Sequence, residues 1–494
     1  MREIQVSKFF EGYENIKYPS KEIYELHINP KITVNEPEND SILFITDKIS
    51  KENQVFDFSK SDKIPVIAVA SYSRNVISAN CPIIRVENVR EALSYAASNV
   101  CDIDYEKIKF IGITGTNGKT TTATLIYEIL RICGYKVGFI GTGKIISNGT
   151  TLSEETYSMT TPDPTLLYPS IERMSLDGCE YIVMEVSSHS IALSKIVPIK
   201  FEYAIFTNLD NDHLDFHSNI EEYFQTKLQL FSSTKKGLFN LDDKYSRRAT
   251  ELVSCPFSTF GIINEADAYA TEISSDNKSK SSFFYRASNL IFKAQINLLG
   301  AFNIYNSLAA LKCVIDLGVK PCIAKRAIES ITGVEGRMQI IDGEIKAVID
   351  YAHTPMAFYN CLKTLKQSIN TQQKLIVVFG CGGDRDKSKR ALFGMHAETY
   401  ADRIIITEDN SRNESFDDIA NDIISGIKSK AFELIQDRES AIKHAIKNAN
   451  PGDLVAVLGK GHEKYKIIKD EYIPFDERKI ITTAVNKRAS YLCE

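Results

Sequence analysis

The 494-residue chain lacks an excess of either charge: 59 Lys and Arg stand against 64 Asp and Glu, a formal net charge of −5. That balance excludes a general nucleic-acid or membrane-surface binder, which needs a strongly basic field. An acidic substrate must then be met by local clusters of Lys and Arg. The ten cysteines, from Cys81 to Cys493, occur singly and form no Cys-x-x-Cys pair. Neither a zinc spacing nor a disulfide framework is present, and scattered reduced thiols fit a cytoplasmic protein. The first residues, MREIQVSKFFEGYENIKYPS, have no apolar signal core, and no apolar run is long enough to span a bilayer. Internal repeats are absent. The low-complexity patch SSDNKSKSSFF near 274–284 is expected to be an exposed loop. The expectation is a monomeric cytoplasmic protein with no nucleic-acid or membrane partner.

The chain is too long for one ordinary core, so several domains are expected. Residues 1–106 hold short β-type runs, SILFITD (41–47), PVIAVA (65–70) and CPIIRV (81–86), then a helical stretch VREALSYAASNV. They read as a small N-terminal α/β domain. Residues 107–333 open with a strand, a Gly-rich loop and the helix KTTTATLIYEILRICG, and continue with the strands KVGFIG, YIVMEV and FEYAIF. Such alternation predicts a mostly parallel sheet covered by helices, here a P-loop mononucleotide-binding α/β domain. Residues 334–494 alternate again: AVIDYA, KLIVVFG, RIIITED, FELIQD and DLVAVLG are separated by helices such as KSKRALFGMHAETYA and DDIANDIISGIKSK. This predicts a third, Rossmann-like α/β domain. ITGVEGRMQ (331–339) is the hinge candidate between the last two.

Three motifs carry chemistry. GITGTNGKTT (112–121) ends a strand and opens a helix. Backbone N–H groups of Gly115, Thr116, Asn117 and Gly118 can cradle phosphate there, Lys119 can reach the terminal phosphates and Thr120 can ligate Mg²⁺, with Thr121 next to it. The spacing departs from the common phosphate loop, because Ile113 stands where a glycine is usual and Gly115 supplies the freedom instead. The plain alternative is a Gly-rich turn before an ordinary helix. In MEVSSH (184–189), Glu185 sits at a strand's C-terminal end, where it can hold Mg²⁺ or be merely solvated. TNLDNDHLDFH (207–217) packs His213, His217 and three acids into eleven residues, which suits metal or phosphate chemistry but also a polar loop with capping Asp residues. Lys227, on the helix that follows, is by itself an ordinary solvated lysine.

Together the blocks TGTNGKTT, TTPDP, MEVSSHS, FTNLDNDHLDFH, YFQTKLQLF, LLGAFNIYNSLAA, VEGRMQ, VIDYAHTP, VFGCGGDRDKSKR, EDNSRNES, LGKGHE and PFDERK resemble the Mur ligase family of cell-wall synthesis, and within it the MurE branch. The resemblance covers residues 107–480. The Asp-Ser-Arg signature of the family's uridine pocket is not found in the first hundred residues. The resemblance implies an ATP-dependent ligase of peptidoglycan precursor synthesis. ATP would phosphorylate the free carboxylate of UDP-N-acetylmuramoyl-L-alanyl-D-glutamate, and an amino-acid amine would attack the acyl phosphate. It also implies residue roles. Thr120 and Glu185 hold one Mg²⁺, and His213 and Lys227, the latter carbamylated, hold a second. Asn303 lies at the adenine, Arg337 near the γ-phosphate and Asp350 at the ribose. Thr160, Thr161 and Ser187 contact the muramoyl dipeptide, with Lys195 where the family often has Arg.

For the added amino acid, the resemblance points to Arg385, Asp409, Asn410, Ser411, Arg412, Gly459 and Glu463. The run Asp409-Asn410-Ser411-Arg412 is similar to the Asp-Asn-Pro-Arg motif of relatives that add meso-diaminopimelate, with Ser411 in place of proline. An Arg fork suits a distal carboxylate, which lysine lacks. Lysine or another diamino acid stays an alternative. So does a folylpolyglutamate-synthase-like ligase, which the GKGHE and DNSR blocks oppose. A P-loop switch ATPase is a third reading, although the guanine-specifying Asn-Lys-x-Asp is absent.

Overall fold

The computed structural model describes residues 83–153, 159–214, 216–276, 280–469 and 471–491, with short strand segments before residue 83. In the N-terminal region the three expected runs are strands, Ser41–Ile45, Val66–Ala70 and Ile83–Val86. They join Glu25–Ile28 in a parallel sheet. Most connections between them, where a uridine pocket would be sought, lie outside the described residues. Helix Val89–Asn99 follows, its first turn capped by Asn88, whose side chain accepts from the N–H groups of Arg90 and Glu91.

In the central region the strand order runs Val137–Gly141, Tyr181–Glu185, Lys109–Thr114, Phe201–Phe206, Thr234–Asn240, Phe257–Gly261, all parallel. Lys109–Thr114 is buried at every position but Lys109, as a strand covered on both faces must be. It therefore delivers the loop 115–118 to the centre of the sheet's C-terminal edge. Helix Lys119–Ile132 buries its apolar face, including Leu125, Ile126 and Ile129, with Leu308 and Leu311 of helix Ala301–Asp316 in one core. On one side of the loop strand, Glu185 pairs in register with Ile113. On the other, Phe206 pairs with Thr114 and leads into Thr207.

The patch at 274–284 corrects the expected loop. Ala268–Ser275 and Ser281–Ala287 are antiparallel strands, and Ser281 and Phe283 are fully buried. The polar composition hid an alternation in which Phe283 and Tyr285 point inward. The buried Ser281 hydroxyl is satisfied by the Leu298 carbonyl at 2.8 Å.

In the C-terminal region the parallel order is Lys346–Asp350, Leu454–Leu458, Leu375–Phe379, Arg403–Ile406, Phe432–Leu434. Leu454–Leu458, last of these in the chain, sits between the first two, and such a break in strand order opens a crevice beyond the strands' C-terminal ends. Asp350, Gly380, Asp409 and Gly459 all stand at or just past those ends. The helix expected through residue 430 ends at Ile424, where Gly426 lets the chain close onto the backbone of Ala391.

A fully buried ion pair fastens the last helix, Glu477–Tyr491, to this edge. Arg438 donates to Glu477 at 2.7 Å, to the Leu458 carbonyl at 2.8 Å and to the Glu408 carbonyl at 3.2 Å. Removing one partner of such a pair strands the other charge in the core, at a cost of about 3–5 kcal/mol.

Candidate active site

The phosphate loop is shaped by two glycines. Gly118 caps the helix with φ of 87° and Gly115 has φ of 139°. A Cβ at Gly115 would strike the Thr207 hydroxyl, and one at Gly118 the Asn306 amide oxygen, so both positions need glycine for space as well as conformation. Asn208 braces the turn, accepting from Asn117 N–H at 2.9 Å and donating to the Asn117 carbonyl at 3.0 Å. Lys119 curls back over the loop, its Nζ 2.9 Å from the carbonyls of both Gly115 and Thr116.

Thr120 joins three parts of the chain. Its hydroxyl donates to Glu185 Oε2 at 2.8 Å and accepts from Arg337 Nη2 at 3.0 Å. Glu185 is fully buried and also accepts from the Thr142 N–H at 2.9 Å. Arg337 lies with its guanidinium 4.4 Å from the Tyr351 ring centroid. Thus the segment read as a hinge reaches the first turn of the phosphate-loop helix.

Lys227 is not solvated. It is 1% exposed, its Nζ lies 3.0 Å from the Gly115 carbonyl, and the Tyr223 ring centroid is 4.5 Å away. Two lysines thus converge on one carbonyl, that of Gly115. Burial first, and then the Lys119 charge, drives the Lys227 amine well below the usual lysine range, against the pull of Asp212. His213 has φ of 53° and packs edge-on to His189, with ring centroids 4.8 Å apart. Burial outweighs the nearby Asp212 and, with His189, Lys119 and Lys227, pushes the imidazole down to about 3. It is held neutral, the form that offers a lone pair to a metal.

The residues expected at the dipeptide form a chain along the neighbouring strand end. Thr160 accepts from Thr142 at 3.2 Å, Thr161 donates to the Glu185 carbonyl at 2.9 Å, and Ser187 N–H donates to the Thr161 hydroxyl at 3.3 Å. Lys195 is buried, paired with Asp163 at 2.7 Å and 3.4 Å from the Thr161 carbonyl.

On the C-terminal side, Asp350 accepts from the N–H groups of Met338 and Ala352, both at 2.7 Å. Asn303, fully buried, donates to the Leu299 carbonyl at 2.8 Å and accepts from Asn306 at 3.2 Å. Arg385 and Arg412 flank Gly382, and Arg412 donates to the Gly383 carbonyl at 2.8 Å. Asn410 donates to Glu463 at 2.9 Å. Gly459 has φ of 112° and abuts the Asp409 carboxylate. Ser411 backs onto Gly383, whose Cβ would collide with the Ser411 carbonyl.

One cavity of about 1230 Å³ runs from the phosphate loop to the C-terminal crevice. It is lined by residues 116–121, Thr160, Glu185, His213, Asn303, Arg337, Asp350, Arg385, Asp409, Asn410, Arg412, Gly459 and Glu463. Gly115, Thr161, Ser187, Lys195, Lys227 and Ser411 are not among the residues that line it.

Asp212 lies in the loop read from sequence as suited to metal or phosphate chemistry, whereas the roles of Lys389, Arg390 and Lys460 in holding the wall in shape were not read from sequence. Asp212 accepts from Lys389 at 2.8 Å and lies 3.4 Å from His213 and 4.0 Å from His353. Burial works against its ionisation, yet His213, His353 and Lys389 keep its carboxyl below the usual carboxylate range. Arg390, nearly fully buried, clamps Glu414 with two bonds of 2.9 Å and donates to the Gly382 carbonyl at 3.1 Å, fixing the loop that carries Arg385. Lys460 is fully buried against Asp409, Asn410 and Glu463. In sequence Lys389, Arg390 and Lys460 are unremarkable charges, and only the topology shows that they face inward.

Models of the Mur ligase middle domain and of the Mur ligase glutamate ligase domain match residues 113–314 and 336–461. The chain is 35% identical over 478 residues to the UDP-N-acetylmuramoyl-L-alanyl-D-glutamate–2,6-diaminopimelate ligase of Clostridium tetani, covering 96% of this chain and 95% of that one. It is 40% identical over 414 residues to the ligase of the same name from Clostridium perfringens, covering 82% and 84%. A solved structure of a ligase of that name superposes with a TM-score of 0.63 at 26% identity, over 99% of this chain and 100% of the other.

Proposed function

The chain belongs to the Mur ligase family, and from that premise we propose that it joins meso-2,6-diaminopimelate to UDP-N-acetylmuramoyl-L-alanyl-D-glutamate at the expense of ATP. The reading rests above all on the single cavity that places the phosphate loop and the Arg385–Arg412–Glu463 cluster in one space. An acyl-phosphate route needs that continuity, because the activated carboxylate must meet the amine before water does.

The expected cradle shifts, because the Thr116 and Asn117 N–H groups are held by Asn208; in this reading the N–H groups of Gly118 and of the first turn of helix Lys119–Ile132, with the Lys119 ammonium, neutralise the terminal phosphates of ATP. Arg337, reaching Thr120 across the hinge segment, adds positive charge beside the γ-phosphoryl group as it moves. Thr120 and Glu185 are hard oxygen donors 2.8 Å apart, a pair that suits Mg²⁺ completing its shell with phosphate oxygens and water. They would hold a first magnesium ion. His213 and Lys227, with its amine carbamylated, would help hold a second. Carbamylation needs a neutral amine to attack CO₂, and the burial of Lys227 beside Lys119 supplies one. The bound magnesium would supply charge neutralisation on the phosphoryl oxygens. Asn303 and Asp350 are assigned to the adenine and ribose. Thr160, Thr161, Ser187 and Lys195 are assigned to the muramoyl dipeptide.

Arg385 and Arg412 are assigned to the distal carboxylate of diaminopimelate, with Asp409, Asn410, Ser411, Gly459 and Glu463 shaping the remainder of its subsite. Two guanidinium groups around one glycine can clamp a carboxylate, whereas lysine brings none for them to hold. The three regions 1–106, 107–333 and 334–494 are assigned to the UDP-substrate, ATP and amino acid respectively. Among the described residues no helix is long and apolar enough to cross a membrane.

Phosphate release by purified enzyme with the UDP-linked dipeptide, ATP and a panel of amino acids tests the reading. Diaminopimelate is expected to exceed lysine in kcat/KM by at least about 100-fold, the scale of one buried charged contact. A higher kcat/KM with lysine would overturn the assignment.

A further inference from the structure

Lys460 makes the three hydrogen bonds an ammonium can donate, all to groups of the amino-acid subsite. Its Nζ lies 2.8 Å from Asn410 Oδ1, 3.1 Å from Glu463 Oε2 and 3.3 Å from Asp409 Oδ1. Asn410 and Glu463 line the cavity and Lys460 does not, so it can act on a ligand only through them. The Ile467 N–H also donates to Asn410 Oδ1, at 3.0 Å. These two donors fix which way the amide faces and aim its Nδ2 at Glu463, 2.9 Å away. Charge is equally constrained. Arg438, the other buried cation here, is matched by Glu477 at 2.7 Å. Lys460 is the cation in direct ion-pair contact with both Asp409 and Glu463.

We propose that Lys460 is a positioning and specificity-determining residue of the amino-acid subsite, orienting Asn410 and Glu463 and keeping the subsite positive enough to admit a second carboxylate. The proposal rests on the diaminopimelate reading above. Diaminopimelate at neutral pH carries two ammonium and two carboxylate groups and is neutral, whereas lysine is a cation. Deleting one fixed positive charge therefore shifts the balance toward lysine. Asn410 would also lose one of the two donors that set its amide, loosening the groups that meet the ligand.

Steady-state kinetics of the full chain as wild type, Lys460→Gln and Lys460→Met separate these effects. Gln keeps an N–H donor and drops the charge; Met drops both. The KM for diaminopimelate is expected to rise about ten-fold in Lys460→Gln and further in Lys460→Met, and the lysine-to-diaminopimelate ratio of kcat/KM to rise about ten-fold in both. The KM values for ATP and the UDP-linked dipeptide should stay within about two-fold, since neither is assigned to this cluster. A folded Lys460→Gln enzyme with unchanged diaminopimelate KM and unchanged ratio overturns the proposal. So does a fall in kcat alone, and so does failure of both variants to fold, which would make Lys460 a core residue only. A wild type that does not use diaminopimelate defeats the underlying reading instead.

Discussion

Lys227→Ala is expected to lower kcat by roughly 100- to 1,000-fold, the usual scale for losing one group that stabilises charge in the transition state. The argument begins with burial. A lysine 1% exposed, with its amine on the Gly115 carbonyl and a second lysine on the same atom, cannot remain an ordinary ammonium. Held neutral, the amine forms an N–C bond to CO₂ as one C=O π pair moves onto oxygen, an N–H proton is lost to water, and the product is a carbamate anion beside the phosphate loop. The substitution removes the anion and leaves a space behind the loop the size of the lost side chain. Formate, acetate or bicarbonate at millimolar concentration is therefore expected to restore part of the activity. Wild-type enzyme equilibrated with ¹³C-enriched bicarbonate should show a carbamate carbon resonance that Lys227→Ala lacks. Full activity of Lys227→Ala without additives would rule out this role.

Lys119→Met should cost about 1,000-fold in kcat, with a smaller rise in the KM for ATP, because the ammonium is needed most as charge moves onto the leaving phosphate. Part of that loss is expected to be indirect. The Lys119 charge helps depress the Lys227 amine, so removing it lets Lys227 hold its proton more firmly and lowers the fraction able to react with CO₂. The effects of Lys119→Met and Lys227→Ala should then fall short of additive, as for groups that share one task. Raising bicarbonate should recover a fraction of the Lys119→Met loss and strengthen the carbamate resonance of that variant in parallel. Strict additivity of the two in log kcat would show that the lysines act independently.

Much of the central site was legible because phosphate binding is local chemistry. A strand, two glycines, Lys119 and Thr120 are contiguous, and a parallel sheet puts Glu185 beside them through the register of Tyr181–Glu185 against Lys109–Thr114. The apolar strands of the C-terminal sheet were equally visible as continuous hydrophobic runs. The patch at 274–284 misled because serine is neutral about burial when a carbonyl such as that of Leu298 accepts from its hydroxyl. Lys227 appeared bland from its own helix, and only resemblance raised it. The structure supplies the missing physics in Gly115, Tyr223 and the absence of solvent around the amine. Lys460, Arg390 and Arg438 could not be singled out by any local rule. Their partners lie up to 51 residues away or are backbone carbonyls at strand ends, for example Lys460 with Asp409, or Arg438 with Leu458. Gly115 was legible as a departure from the common spacing, and its reason is now steric: the Thr207 hydroxyl occupies the place of a side chain.

The ion pair between Asp212 and Lys389 spans 177 residues of sequence and joins the segment carrying His213 to the one following Arg385. Its two members are therefore one inheritable unit. An ancestor that neutralised Asp212 alone would have left a nearly buried ammonium facing two histidines, and one that lost Lys389 alone would have left a buried carboxylate with only those histidines beside it. Divergence within the family should exchange the two positions together or not at all, so that chimaeras grafting one relative's C-terminal region onto another's central region inherit half of the unit and fail unless both donors share the same pairing.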